Sequence, residues 1–256
     1  MAARQPMERR DAEPAFVLHT YAYRETSLIV EAFTADHGRV AMVARGAKRA
    51  RSELRGLLQA FQPLLLSWYG GAELKTLAKA EWRGGLPLPG GGALLSGFYL
   101  NELLLKLLAR EDPHPALFAT YESALAELAA GGPQGPILRR FELSLLEELG
   151  YALPLTVEAD TGAPVDAAAR YHYAFDRGPQ RNAGAFAAEP GRRLPLVRGA
   201  TLLALAAGRF DDAATAGEAK RLMRDVLDHY LEARGIESRR VVQDLQALDE
   251  QEGTTP

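Results

Sequence analysis

Six positively charged side chains fall in one short stretch of the chain, and side chains of this type and spacing suit the binding of a polyanion. They are Arg39, Arg45, Lys48, Arg49, Arg51 and Arg55. Between residues 39 and 83 there are nine lysines and arginines and three glutamates, a net charge of +6 within a chain of net charge −3. Such asymmetry is the electrostatic footprint of a nucleic-acid surface. Charge alone leaves open that the stretch is a solvated loop.

Two lysines further along the chain extend this pattern. Lys75 and Lys79 are four residues apart in a predicted strand, so the period of two places both on one face. The alternative is that they protect an edge strand from pairing. Four aromatic residues near strand ends are candidates for base stacking, but core packing is the commoner role, and none is assigned as a stacker. They are Tyr21, Tyr23, Trp68 and Tyr69.

The sequence lacks the residue patterns of most enzymes and cofactor proteins. There is no cysteine, no GxxxxGK[ST] or GxGxxG phosphate loop and no HExxH zinc motif, and the five histidines are scattered. We therefore predict no catalytic residues, no cofactor and no metal. A metal-dependent nuclease that uses carboxylates such as Asp160 and Asp166 stays open as an alternative.

Short strands position the cations. Apolar alternation predicts strands at residues 15–23, 28–33, 39–44, 63–69 and 73–81, with a helical connection at 52–60 between the third and fourth. This pattern describes a Greek-key barrel of the OB type over residues 15–84. The polar residues 1–14 are predicted to be a disordered leader.

The second part of the chain has helical periodicity. A Pro- and Gly-rich linker at 86–92 precedes predicted helices at 93–110, 115–130 and 136–149, and helical pattern resumes at 202–207. Thr215 to Glu218 has the pattern of a capping box, and Asp211 and Asp212 suit a capping role at the same helix start. The fold class is therefore α+β, with an α-helical domain over 93–245 and an irregular insertion around 157–195. Charged and polar residues interrupt the apolar run at 93–109, so we read it as a buried helix.

Several short motifs together resemble the bacterial DNA recombination and repair protein RecO family over residues 14–240. The motifs are Ala15-Phe-Val-Leu-His19, Glu25-Thr-Ser-Leu28, Gly38-Arg-Val40, Ala44-Arg-Gly-Ala47, Leu64-Leu-Leu66, Tyr99-Leu-Asn-Glu-Leu103, Leu138-Arg-Arg-Phe-Glu-Leu143 and Leu149-Gly-Tyr151. The resemblance implies an N-terminal OB fold followed by an α-helical domain. It also implies a non-enzymatic protein of the bacterial cytoplasm and nucleoid.

The resemblance further implies partners. Family members bind single- and double-stranded DNA, anneal complementary strands, bind the acidic C-terminal tail of single-stranded DNA-binding protein (SSB), and act with RecR to let RecA load onto SSB-coated DNA. The basic stretch would then contact phosphates. The SSB tail ends in acids and a phenylalanine carboxylate, and the resemblance places its apolar, cation-rimmed pocket near Arg139 and Arg140. An internal ion pair, for example with Glu102, is the alternative for these two arginines.

One departure from the family concerns zinc. Many members carry a four-cysteine zinc site after the Leu-Gly-Tyr motif, and this chain has no cysteine there. We therefore expect no zinc and an insertion held by packing alone. An OB-fold adaptor that binds proteins, with incidental DNA contact, remains an alternative function for the whole chain.

Overall fold

The computed structural model describes residues 9–85, 87–181, 194–210, 212–231, 235–239 and 241. Contacts divide the chain into two compact units. The first lies within Met1–Gly132 and Ile236–Pro256, and the second is Pro133–Gly235. Among the described residues, no helix combines the length and the apolar character that crossing a membrane requires.

A five-stranded closed barrel forms most of the first unit. In chain order its elements are β1 (Arg9–Tyr23), β2 (Ser27–Thr34), β3 (Gly38–Ala44), α1 (Leu54–Leu57), β4 (Pro63–Tyr69) and β5 (Leu74–Trp82). The strand order is β1-β2-β3-β5-β4, with β1 also pairing β4. All neighbouring pairs are antiparallel except β3 and β5, which are parallel over three residue pairs. The predicted OB-like barrel and α+β class are confirmed.

Strand alternation explains the barrel core. Val30 and Ala32 on β2 and Val40 and Met42 on β3 are buried, as are Leu64, Leu66 and Trp68 on β4. Branched and aromatic side chains fit the pleated inner surface of such a barrel. Trp68 is therefore a core residue, as its position near a strand end suggested.

The first strand begins earlier than the sequence indicates. Residues 9–14, which the sequence analysis placed in a disordered leader, pair with β4, where Arg10 lies opposite Trp68. The register then shifts, and Ala12 takes a φ of +54° at the irregularity. The Ala12 N–H donates to the Ser67 hydroxyl at 3.0 Å, which satisfies a donor that the ladder leaves unpaired. Residues 1–8 lie outside the described residues.

Two helices pack in the same unit as the barrel: α2 (Gly92–Leu107) and α3 (Pro115–Ala129). The buried Asn101 side chain of α2 donates to the Leu18 carbonyl at 2.9 Å. On α3, the rings of Phe118 and Tyr121 lie 5.3–6.1 Å from those of Phe16 and Phe33. Aromatic contact and one buried hydrogen bond thus hold both helices to the barrel.

The second unit contains helices and a small sheet. Its elements are α4 (Gln134–Glu148), β6 (Arg170–Ala174), β7 (Gly178–Gln180), β8 (Leu196–Arg198), α5 (Gly199–Ala207) and α6 (Ala213–Tyr230), with sheet order β7-β6-β8. Leu222 and Val226 of α6 are buried, as their spacing predicts. The N-cap of α6 is Asp212, whose carboxylate accepts from the Thr215 N–H at 2.8 Å. The capping box at Thr215 was wrong because Thr215 already lies in the first turn; Asp211 lies outside the described residues.

Candidate nucleic-acid interface

The basic loop, residues 45–55, connects β3 to the start of α1. Five of its side chains are exposed, and in the described part of the chain none of them forms an ion pair. These five are Arg45, Lys48, Arg49, Arg51 and Arg55. Among the described residues, no carboxylate lies within ion-pair distance of these five cations, which are exposed to solvent.

Backbone turns and two buried residues hold the basic loop in place. The Lys48 N–H donates to the Thr26 carbonyl at 2.9 Å, and the Arg49 N–H donates to the Gly46 carbonyl at 3.0 Å. Ala47 within the loop and Leu58 just after it are buried in the barrel core. These two buried residues flank the segment that carries Lys48, Arg49, Arg51 and Arg55, whose side chains are exposed.

Phe61 fixes the chain shortly after the loop. This buried residue has a φ of +69°, which is uncommon for a bulky side chain. Its ring lies against Gly97 of α2, where an added Cβ would stand only 2.9 Å from the ring. The Phe61 ring also contacts Phe98 edge to face, with centroids 4.9 Å apart. The chain that leaves the loop is thus anchored on α2.

Arg39 lies apart from these exposed cations because internal acceptors use its guanidinium. It donates to the Glu31 carboxylate at 3.1 Å and to the Leu108 carbonyl at 2.9 Å. Glu31 has a side chain only 3% exposed and also pairs with Arg110, which sequence reasoning missed. The hydrogen bond with Glu31 raises the pKa of Arg110. The sequence signal that could have revealed this pairing was a glutamate inside the apolar run of β2, because a buried carboxylate needs a cationic or hydrogen-bonding partner.

Lys75 and Lys79 do not share a face of β5. Lys79 lies opposite Ser67 while Leu77 lies opposite Trp68, so Ala78 is an extra residue that reverses the alternation. The Lys75 side chain is 8% exposed and lies 2.9 Å from the Glu111 carboxylate. The exposed Lys79 lies 2.8 Å from the Glu81 carboxylate. The prediction of a shared face was wrong because sequence spacing does not show a bulge.

A cleft of about 700 Å³ opens beside the basic loop at one end of the barrel. Three segments line it: residues 23–27 at the β1–β2 turn, residues within 43–49 from the end of β3 into the loop, and 74–76 at the start of β5. Arg24, in the turn, places its guanidinium carbon 5.1 Å from the Tyr23 ring centroid. Arg24 was missed because it lies far from the basic stretch in sequence. The barrel topology brings the two together.

Arg139 and Arg140 lie in different environments on α4. Arg139 is buried and pairs with Glu142, whose side chain is 0% exposed. Arg140 is exposed, and the aliphatic part of its side chain lies against Gly208 at the C-cap of α5. The internal ion pair considered as the alternative therefore exists for Arg139, with Glu142 rather than Glu102 as its partner.

Glu102 instead serves a local role in the first unit. It pairs with Lys106 at 2.7 Å and accepts from the N–H groups of Glu237 and Ser238. Burial opposes ionisation of this carboxyl, yet the hydrogen bonds from Lys106 and Ser238 lower the pKa of Glu102 overall. Glu102 is therefore a structural residue, with Lys106 rather than Arg139 as its cationic partner.

A polar network holds the segment that follows the Leu149-Gly-Tyr151 motif. Glu158 accepts hydrogen bonds from Tyr171 at 2.9 Å, Thr161 at 2.8 Å and Arg181 at 3.0 Å, and Arg181 reaches Asp166 at 3.2 Å. The hydrogen bonds from Thr161 and Tyr171 lower the pKa of Glu158. The expectation of packing alone was wrong, because a well-partnered carboxylate organises the segment as well. In the part of the chain that the structure describes, no three histidine or acidic side chains group as metal ligands.

Comparison with known proteins matches most of the chain to one family. A family model for the N-terminal part of Recombination protein O matches residues 7–86, and one for its C-terminal part matches residues 91–240. The DNA repair protein RecO of Aromatoleum aromaticum is 54% identical over 241 residues, which cover 94% of this chain and 98% of the relative. Those of an Azoarcus species and of Nitrosospira multiformis are 51% and 49% identical, with the same coverage.

Proposed function

This chain belongs to the Recombination protein O family of DNA repair proteins, and we propose that within repair it acts as a non-enzymatic mediator that holds DNA on its basic loop. It binds single- and double-stranded DNA, anneals complementary strands and, together with RecR, helps RecA load onto SSB-coated strands. The site of action is the bacterial cytoplasm, at the nucleoid. Family membership supports the pathway, and the geometry of the basic loop supports the contact with DNA.

One observation carries the DNA contact: five exposed cations with no internal ion pair in the described residues lie on the single loop that follows β3 of an OB-like barrel. Cations of this kind bind phosphates by releasing condensed counterions, and the resulting affinity does not depend on base sequence. Arg39, Lys75 and Lys79, which form ion pairs with carboxylates, contribute less to this surface.

Annealing follows from the same charge. Two DNA strands repel each other through their phosphates, and a cationic surface lowers that repulsion while the bases find their partners. No bond to phosphorus or carbon is made or broken in this process. The mediator therefore needs neither a nucleotide cofactor nor a metal.

The basic loop is tested by charge reversal. We expect the K48E/R49E/R51E variant to lose binding to a fluorescein-labelled single strand, measured by fluorescence anisotropy at low salt. The matched control is K220E/R221E/R224E, which makes the same change in net charge on exposed residues of α6. Retained binding in the loop variant, with a wild-type thermal melt, contradicts the site. Equal loss in both variants assigns the effect to total charge.

For the SSB tail, the exposed arginine on α4 is the stronger candidate. The tail carries several acids and a terminal carboxylate, and Arg140 is exposed where Arg139 is committed to Glu142. We expect R140E to weaken binding of a labelled tail peptide by about tenfold, while R224E on α6 changes it little. Binding of the tail peptide by a protein that does not bind DNA would instead support an adaptor role.

A further inference from the structure

The cleft beside the basic loop has two kinds of lining. Tyr23, Val43 and Leu74 provide carbon surface, and Leu74 is 37% exposed although it stands in the pair that closes the barrel. Arg45 and Arg49 of the basic loop line the same cleft and stand exposed to solvent. Carbon surface from three side chains thus adjoins a cationic rim in a cleft that is otherwise polar and measures about 700 Å³, in the range of roughly 300–1,000 Å³ that small-molecule sites occupy.

A nucleotide has the complementary parts. Its base is flat and mostly apolar on its faces, and its phosphate is anionic. The planar guanidinium of Arg24 lies over the Tyr23 ring, with its central carbon 5.1 Å from the ring centroid. Aromatic rings of this kind bind base faces without regard to sequence.

The lining also includes a buried cation that is already ion-paired. Lys75 lines the cleft and is 8% exposed, and its ammonium group is paired with Glu111. Glu25, on the β1–β2 turn, is the acidic residue among those that line the cleft. Arg24, Arg45 and Arg49, for which the described residues provide no ion pair, outnumber Glu25, so the cleft favours an anionic ligand.

We propose that this cleft receives one unstacked base of a DNA single strand, against Tyr23 and Leu74, while Arg45 and Arg49 hold the adjoining phosphates. This inference rests on the proposed DNA binding and adds a means of discrimination to it. In a duplex both faces of a base are stacked, and turning the base out costs several kcal/mol. The rim is open to either form of DNA, whereas the cleft is open to the single strand alone.

Anisotropy titrations of a thymidine 15-mer and of a matched duplex test the proposal. We expect Y23L and L74A each to weaken single-strand binding by about five- to tenfold and to leave duplex binding within about twofold. The matched control is Y21L. Tyr21 is an equally aromatic, exposed residue of the same strand that does not line the cleft. We expect Y21L to bind both forms as the wild type does.

A second measurement keeps the test decisive if a variant is unstable. A thymidine 15-mer with one 5-iodouracil, irradiated in complex with the wild type, should cross-link to the peptide that contains Tyr23. Equal losses for single strand and duplex in Y23L and L74A, or cross-links confined to the basic loop, overturn the base cleft but leave the proposed DNA binding in place. Failure of the wild type to bind either form overturns the proposed function itself.

Discussion

Replacing single cations of the basic loop with alanine tests how many phosphates the loop contacts in the proposed DNA binding. For a single strand, each phosphate contact contributes about −0.7 to the slope of log affinity against log salt. Five contacts, one for each exposed cation, give a slope of about −3.5, which is roughly a hundredfold loss of affinity between 50 and 200 mM salt. We expect R49A to reduce the slope to about −2.8.

R39A is the matched variant for this measurement. It removes the same charge from the same strand-and-loop segment, but the Arg39 guanidinium is already held by Glu31 and by the Leu108 carbonyl. Its slope should therefore stay near that of the wild type, provided that thermal melts show a folded barrel. Anisotropy at four salt concentrations gives each slope. A wild-type slope near −1, or equal reductions in R39A and R49A, refutes the assignment of phosphate contacts from exposure and ion pairing.

Three further predictions concern stability. G38A should lower the free energy of unfolding in urea by more than about 2 kcal/mol. The reason is that Gly38 has a φ of +63° and an added Cβ would lie 1.9 Å from the Asp112 carbonyl oxygen. The control G56A, which has open space around it, should change the free energy of unfolding by less than about 0.5 kcal/mol. R139M should lower the free energy of unfolding by about 3 kcal/mol, because it leaves the buried Glu142 carboxylate without its guanidinium partner. The double variant R139M/E142L should recover most of that loss. An R139M variant as stable as the wild type would contradict the pairing. The pKa of Glu158 is lowered in the folded state, so this residue stabilises the fold at pH values above the ordinary glutamate pKa of about 4.3. The stabilisation is lost as the pH falls toward the lower pKa of the folded state. Urea midpoints measured from pH 6 to pH 3 should therefore fall less in E158Q than in the wild type.

Local patterns predicted the elements well because the forces that form them are local. The five strands follow from alternation and from Gly-containing turns, and their observed bounds differ by at most one residue except at the start of β1. The helical connection predicted at 52–60 is shorter, at Leu54–Leu57. That start was missed because residues 9–14 gain their order from pairing with β4. A polar segment without periodicity gives no sign of such a distant partner.

The candidate site was only partly predictable because its charges interact across the fold. Arg39 looks like Arg49 in the sequence, and only the register that brings Glu31 beside it separates an internal ion pair from an exposed cation. Arg24 contributes to the cleft through the β1–β2 turn, which no spacing rule connects to the loop. Ion pairing depends on the tertiary fold, so a count of cations in the sequence overestimates the number that remain exposed and without an ion pair.

The contact between Phe61 and Gly97 constrains how this family can vary. Because the phenylalanine ring fills the space that a methyl group at residue 97 would need, Gly97 cannot become alanine while Phe61 keeps its place. A homologue with alanine in place of Gly97 should carry a smaller side chain in place of Phe61. Paired changes at these two positions would therefore trace, through evolutionary history, lineages in which the chain after the basic loop has shifted against its supporting helix.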